Sequence, residues 1–156
     1  MEFTIRQGTD KDFSLIQALN AALFAEDQEN DVTLDTHWPM SVEGVEYYMK
    51  SLIDPEKLVL VAEDAQKKPL GYLIASSVNK WRYRKIKTGE IENMYIVPNA
   101  RRCGIGRALV DSMKQWLKEK KVDRVYVSMF VSNAKALGFY QATGFTLWES
   151  GLESIV

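Results

Sequence analysis

The chain has 156 residues, 46% of them hydrophobic and 26% charged, with 20 Lys and Arg against 21 Asp and Glu. That length suits one domain, residues 1–156, built around a single core. A net charge of −1 gives no global case for nucleic acid or an anionic membrane as partner, and without a run of 18 apolar residues no membrane span is expected.

Phe3–Arg6 alternates apolar and polar residues as a half-buried strand does. Thr9 or Asp10 suits the cap of a helix that places Phe13, Ile16, Leu19 and Leu23 on one face. Glu26–Asp35 is acidic and poorly periodic and reads as a loop. A short helix is expected over Val42–Leu52, started near Ser41 with Glu43 and Glu46 in its first turns. Strands follow at Leu58–Ala62 and, past the turn Lys67-Lys68-Pro69, at Leu70–Val78, which Gly71 weakens locally. Lys80–Lys87 is basic and aromatic and reads as a loop or hairpin end. Glu90–Val97 is expected to be a strand antiparallel to the one before it. The helix from Ile105 to Lys120 is expected to bury Ile105, Leu109, Met113, Trp116 and Leu117. Val125–Phe130 reads as a strand parallel to Glu90–Val97, because a helix intervenes. Asn133–Thr143 reads as a helix and Phe145–Glu149 as a last strand. The pattern is α/β, a mixed sheet with helices on both faces.

The most informative stretch is Arg101-Arg102-Cys103-Gly104-Ile105-Gly106-Arg107, between an apolar strand and an amphipathic helix. Two glycines one residue apart let backbone N–H groups turn toward a single point. The helix adds its own unpaired N–H groups and the positive end of its dipole, and arginines flank the turn. This is the chemistry of a pyrophosphate cradle. A P-loop is excluded because no Lys-Ser or Lys-Thr follows the glycines, and a dinucleotide fingerprint because Leu109 stands where a third Gly or Ala belongs.

Ile91–Leu109 resembles the acetyl-CoA-binding motif of the GNAT superfamily of N-acetyltransferases, Gln/Arg-x-x-Gly-x-Gly/Ala, here Arg101, Gly104 and Gly106 with Pro98 three residues before the arginine. Ser132–Phe145 resembles the family's second signature, through Asn133, Tyr140, Gly144 and Phe145. The resemblance is firm from about Leu58 to Phe145. It implies a mixed, mostly antiparallel sheet with a central, splayed parallel strand pair. It also implies acetyl-CoA as cosubstrate, with no metal. The pantetheine arm would run along Met94, Tyr95 and Ile96 and reach Asn133 and Tyr140. The diphosphate would lie on the N–H groups of Arg102, Cys103, Gly104, Ile105, Gly106 and Arg107, and Arg101 of the motif would also bind the cofactor. The family commonly continues into a further strand after Phe145–Glu149, whereas Ser150–Val156 is all that follows here, so the acceptor wall and any homodimer contact stay open.

Acetyl transfer to an amine raises two proton problems. An alkyl amine with a pKa of about 10.4 is mostly protonated at neutral pH, and the departing thiolate is helped by a proton. Glu92 is the candidate base: a carboxylate in an apolar strand is costly unless paired, and burial favours its protonated form. A basic neighbour that ties it up is the competing reading. Glu90, two residues away on the same face, is the reserve, and Asn93 is expected to face the other way. Tyr140, two helical turns after Asn133, is the candidate acid. Cys103 reads as a bystander, since no His lies near it in sequence, and the favoured route is direct attack in a ternary complex.

A lone Cys and a lone His exclude an internal disulfide, make a structural zinc site unexpected and suit a reducing cytoplasm. No basic stretch followed by an apolar one opens the chain, so no signal peptide is expected. His37, Trp38, Tyr47, Tyr48, Trp81 and Tyr83 are aromatics that suit an acceptor pocket or ordinary packing. The acceptor is expected to be a small-molecule amine. A catalytically weak acyl-CoA-binding module and an acetyltransferase of protein or peptide amines are the alternatives. A third class, an RNA-binding protein built on Lys80–Lys87, is disfavoured as a charged hairpin tip.

Overall fold

The computed structural model describes residues 2–156. Five strands, β1 (Thr4–Gln7), β2 (Lys57–Glu63), β3 (Pro69–Ser76), β4 (Thr88–Ile96) and β5 (Arg124–Val127), form one sheet in chain order. Pairing is antiparallel from β1 to β4 and parallel between β4 and β5. The four helices are α1 (Phe13–Asp27), α2 (Val42–Ile53), α3 (Ile105–Glu119) and α4 (Ala134–Ala142).

Period-two alternation in the central strands builds two cores. Leu58, Leu60, Leu73 and Ala75 face α3, where they meet Ile105, Leu109, Val110, Met113 and Leu117. Val59, Tyr72 and Ile74 face α1 and α2, where they meet Ile16, Leu19 and Tyr48. Trp116, expected on the buried face of α3, is only partly buried, and Val110 is fully buried instead. Ser41 caps α2 as expected, its hydroxyl accepting the Gly44 N–H at 3.1 Å. A 3-10 turn over Asp10–Asp12 leads into α1, and the Asp12 carboxylate accepts the Thr9 N–H at 2.8 Å.

Four sequence expectations are corrected. α1 runs on through Asp27, so Glu26 belongs to a helix and not to the acidic loop. β5 stops at Val127, short of Phe130. Phe145–Glu149 forms no strand: a strand needs a ladder partner, and the segment instead packs through Trp148, whose ring lies 5.0 Å from Trp81 and 6.1 Å from Tyr126. The parallel pair, expected centrally, therefore stands at one margin of the sheet. A hollow of about 950 Å³ runs along the outer side of β5, among Lys114, Val125, Val127, Tyr140 and Phe145.

Arg6 closes the far end of the molecule, donating to Asp12 (2.7 and 2.8 Å) and to Glu63 (2.9 Å). The bond from Arg6 holds the Asp12 carboxyl at about 2, below its ordinary 3.8. The contribution of Asp12 is therefore full above about pH 4 and is lost as pH falls through about 2. Arg6 is partly solvated, so the contribution is on the order of 1–2 kcal/mol. Thermal melts between pH 2 and 6 should show a steeper acid decline for the wild type than for Asp12→Asn, whose midpoint is already lower at pH 6 and converges with the wild type near pH 2.

Candidate active site

The turn before α3 is shaped for an anion. Arg102 (φ 64°) and Gly104 (φ 87°) both adopt the left-handed conformation, which aims successive N–H groups at one side of the chain. The first main-chain bond of α3 runs from the Ala108 N–H to the Gly104 carbonyl at 3.0 Å. Among the described residues, the N–H groups of Arg102, Cys103, Gly104, Ile105, Gly106 and Arg107 have no acceptor in the protein. A Cβ placed on Gly104 would meet no protein atom within 4 Å, so the space before the turn is open. These features fit a diphosphate. Gly106 serves packing: a Cβ there would come within 2.9 Å of the Phe139 ring.

The arginines divide. Arg102 is exposed, Arg107 donates to the Ala142 carbonyl at the end of α4 (2.7 Å), and Arg101 is held by Glu26 and the Ile96 carbonyl. Cys103 is exposed, its nearest polar contact the Arg101 carbonyl at 3.5 Å.

β4 outruns its parallel partner. Pairing with β5 ends at Ile91–Val127, while β4 continues to Ile96. Past that point the outward main-chain groups of Met94, Tyr95 and Ile96 have no strand beside them, which is the splay that the resemblance requires. α4 closes the far side. Tyr140 is buried near its end, and burial, then the charge of Asp27, pushes its phenol well above the ordinary range. Asn133 is the cap of α4 and not part of its face, its Oδ1 accepting the Ala136 N–H at 3.0 Å.

The opposite face carries an open pocket of about 550 Å³. Phe24, Leu34, Trp38 and Tyr47 form its apolar wall, and Asp35, Glu90, Glu92 and Asn93 its polar one. Phe24 and Trp38 stack with ring centroids 5.6 Å apart. A bulge brings Glu92 and Asn93 together: Ile74 pairs with Asn93 and Ala75 with Ile91, leaving Glu92 as the extra residue. Asn93, expected on the other face, therefore joins Glu92 at Tyr47. Tyr47 OH donates to Glu92 Oε2 at 2.5 Å and accepts from Asn93 Nδ2 at 2.7 Å. Burial, then the charge of Glu92, raises the Tyr47 phenol far out of its ordinary range. Lys57 Nζ reaches the same Oε2 at 2.8 Å and lies over the Tyr47 ring at 4.3 Å. Among the described residues Glu92 Oε1 has no partner. Glu90 is paired with Lys80 at 3.0 Å.

Behind the pocket the fully buried Asn20 donates to Tyr72 OH (2.6 Å) and Asn93 Oδ1 (2.9 Å) and accepts from Tyr48 OH (2.6 Å). This network fixes Asn93, and through it Tyr47. Tyr48 thus belongs to the core, whereas Trp38 and Tyr47 line the pocket. Trp81 packs on Tyr126 and Trp148, and the His37 side chain is exposed.

Residues 14–145 match the acetyltransferase (GNAT) family. The chain belongs to this family. A mycothiol acetyltransferase of Beutenbergia cavernae is 33% identical over 141 residues, covering 89% of this chain and 43% of that protein. The chain thus spans less than half the length of that relative. This GNAT chain also shares its fold with a protein of Bacillus halodurans (TM-score 0.87, 20% identity, 98% and 99% of the two chains covered). A second structure of the same fold is an aminoglycoside antibiotic 6′-N-acetyltransferase from Acinetobacter baumannii (TM-score 0.77, 20% identity, 99% and 97% covered). Among the described residues no group of three or more His, Cys, Asp or Glu is arranged to hold a metal ion, and no helix is long and apolar enough to cross a membrane.

Proposed function

We propose that the protein is an acetyl-CoA-dependent N-acetyltransferase acting on a primary amine of a small molecule by direct attack in a ternary complex. The observation that carries this reading is the row of unpaired N–H groups from Arg102 to Arg107, facing open space at the N-terminus of α3 beside the splayed end of β4. When bound there, acetyl-CoA supplies an already activated acyl group, so positioning does much of the work. The chain's part is then as follows. Met94, Tyr95 and Ile96 offer main-chain groups to the pantetheine amides. Glu92 Oε1, free toward the pocket, takes the proton of the incoming ammonium, directly or through one water. Tyr47 and Lys57 hold Oε2 and so fix the carboxylate's direction. The Tyr140 phenol keeps its proton through neutral pH and gives it to the departing sulfur.

The preference for a small acceptor is supported by the pocket of about 550 Å³ with its Phe24–Trp38 stack, open to solvent on one side. The names of the Beutenbergia and Acinetobacter proteins point the same way. The Lys57 ion pair supports a second reading of Glu92, as a fixed charge that anchors the acceptor's ammonium.

Release of free thiol from acetyl-CoA across a panel of small amines and peptides tests the function. Turnover with at least one small amine is expected. Turnover with peptides alone reassigns the acceptor, and acetyl-CoA binding with no turnover on any amine leaves a binding module.

A further inference from the structure

Arg101 is engaged away from the open cradle. Its Nη2 donates to both carboxylate oxygens of Glu26 (2.7 and 2.8 Å), and its Nε donates to the Ile96 carbonyl (2.8 Å). Tyr95 OH donates to the same Glu26 at 2.6 Å. Burial opposes the Glu26 charge, but the bonds from Arg101 and Tyr95 outweigh it and keep the carboxyl below its ordinary value. One turn farther on, Asn30 Oδ1 accepts the Ser132 hydroxyl at 2.7 Å. These partners stand on opposite sides of the β4–β5 opening: Tyr95 and Arg101 belong to the β4 side, and Ser132 follows β5. The end of α1 therefore straps the mouth of the splay. The same end carries Phe24 and leads into Leu34, Asp35 and Trp38, the wall of the acceptor pocket.

We propose that Glu26 is a positioning residue that couples the cofactor site to the acceptor site. In the free protein it holds Arg101 on the Ile96 carbonyl and holds the α1 end across the cleft. A diphosphate in the cradle competes with Glu26 for Arg101, because carboxylate and phosphate offer the guanidinium fork the same pair of oxygens. Transfer of Arg101 frees the Ile96 carbonyl and leaves Glu26 beside a like charge. The α1 end then loosens and admits the acceptor, so acetyl-CoA binds before the amine. This inference rests on the cofactor site proposed above.

The test uses coenzyme A as probe, calorimetry for affinity and amide hydrogen exchange over residues 27–34. In the wild type, coenzyme A should speed exchange across that segment. Glu26→Gln should bind coenzyme A about three- to tenfold more tightly, the scale of one well-formed ion pair removed from competition. Its segment should exchange in the free state as fast as the liganded wild type. Glu26→Asp should restore wild-type affinity and exchange. Arg101→Gln should also loosen the segment but weaken coenzyme A binding, which separates the coupling from general damage to α1. Equal or weaker binding by Glu26→Gln overturns the proposal, as does coenzyme A binding to the wild type without any change over 27–34. Failure of the wild type to bind coenzyme A at all overturns the cofactor site itself.

Discussion

Replacing Gly104 by aspartate is expected to abolish acetyl-CoA binding, with calorimetry showing a loss of at least about 100-fold in a protein that still melts cooperatively. Two facts separate this effect from unfolding. An added Cβ meets no protein atom within 4 Å, so no packing is disturbed. The φ of 87° does strain a non-glycine residue, but Asp is among the types that tolerate this region, and the cost is about 1 kcal/mol. The carboxylate, by contrast, would add a negative charge within the run of unpaired N–H groups from Arg102 to Arg107 and would repel a diphosphate while competing for its donors. Gly104→Ala isolates the strain and should keep most of the affinity. Gly106→Ala should do the reverse, because its Cβ would press on Phe139 at 2.9 Å and on Ile96 at 3.1 Å, lowering stability with less effect on binding. If Gly104→Asp binds acetyl-CoA normally, the ligand lies elsewhere and the assignment of this turn fails.

The turn before α3 was legible in the sequence because a strand, a glycine turn and a helix are contiguous, and local backbone rules decide what such a run does. The antiparallel pairing of β3 with β4 and the parallel pairing of β4 with β5 followed from the same local logic. Misreadings arose where distant residues decide. Period-two alternation assigned Asn93 to the face opposite Glu92, but alternation holds only while the ladder is regular, and one bulge shifts every later residue to the other side. Nothing in the spacing of Tyr47, Lys57 and Glu92 shows that three elements deliver them to a single carboxylate oxygen. Glu26 reads as loop because acidic residues mask weak helical periodicity, although Phe24 and Leu23 before it are apolar, and its partner Arg101 lies 75 residues away, beyond the reach of local pattern. Phe145–Glu149 shows how a strand-like pattern is overridden: Phe145 and Leu147 alternate as a strand would, yet Trp148 finds two aromatic rings and no ladder forms.

The largest effects on chemistry should come from the two groups proposed to handle protons, and they should differ in how they depend on pH. Tyr140→Phe is expected to lower kcat by about 10²–10³, the range of a lost general acid. Burial and the charge of Asp27 raise the Tyr140 phenol, so its proton stays on across neutral and mildly alkaline pH. The Tyr140→Phe profile should therefore drop as a whole, with no limb removed below pH of about 10. Glu92→Gln should behave otherwise. At neutral pH the amine depends on a base, and the rate should fall by about 10². As pH rises toward the amine's own pKa of about 10.4, the free amine forms without help and the defect should shrink. The alternative role for Glu92, a charge paired with Lys57 that anchors the ammonium, predicts a different signature. The loss would then lie in KM for the acceptor and would also shrink toward alkaline pH, where the neutral amine has no charge to anchor. A Glu92→Gln defect that lies in kcat therefore identifies a base, and one that lies in KM for the acceptor identifies an anchor. Both contributions fade as the acceptor loses its proton, so the split between kcat and KM decides between them.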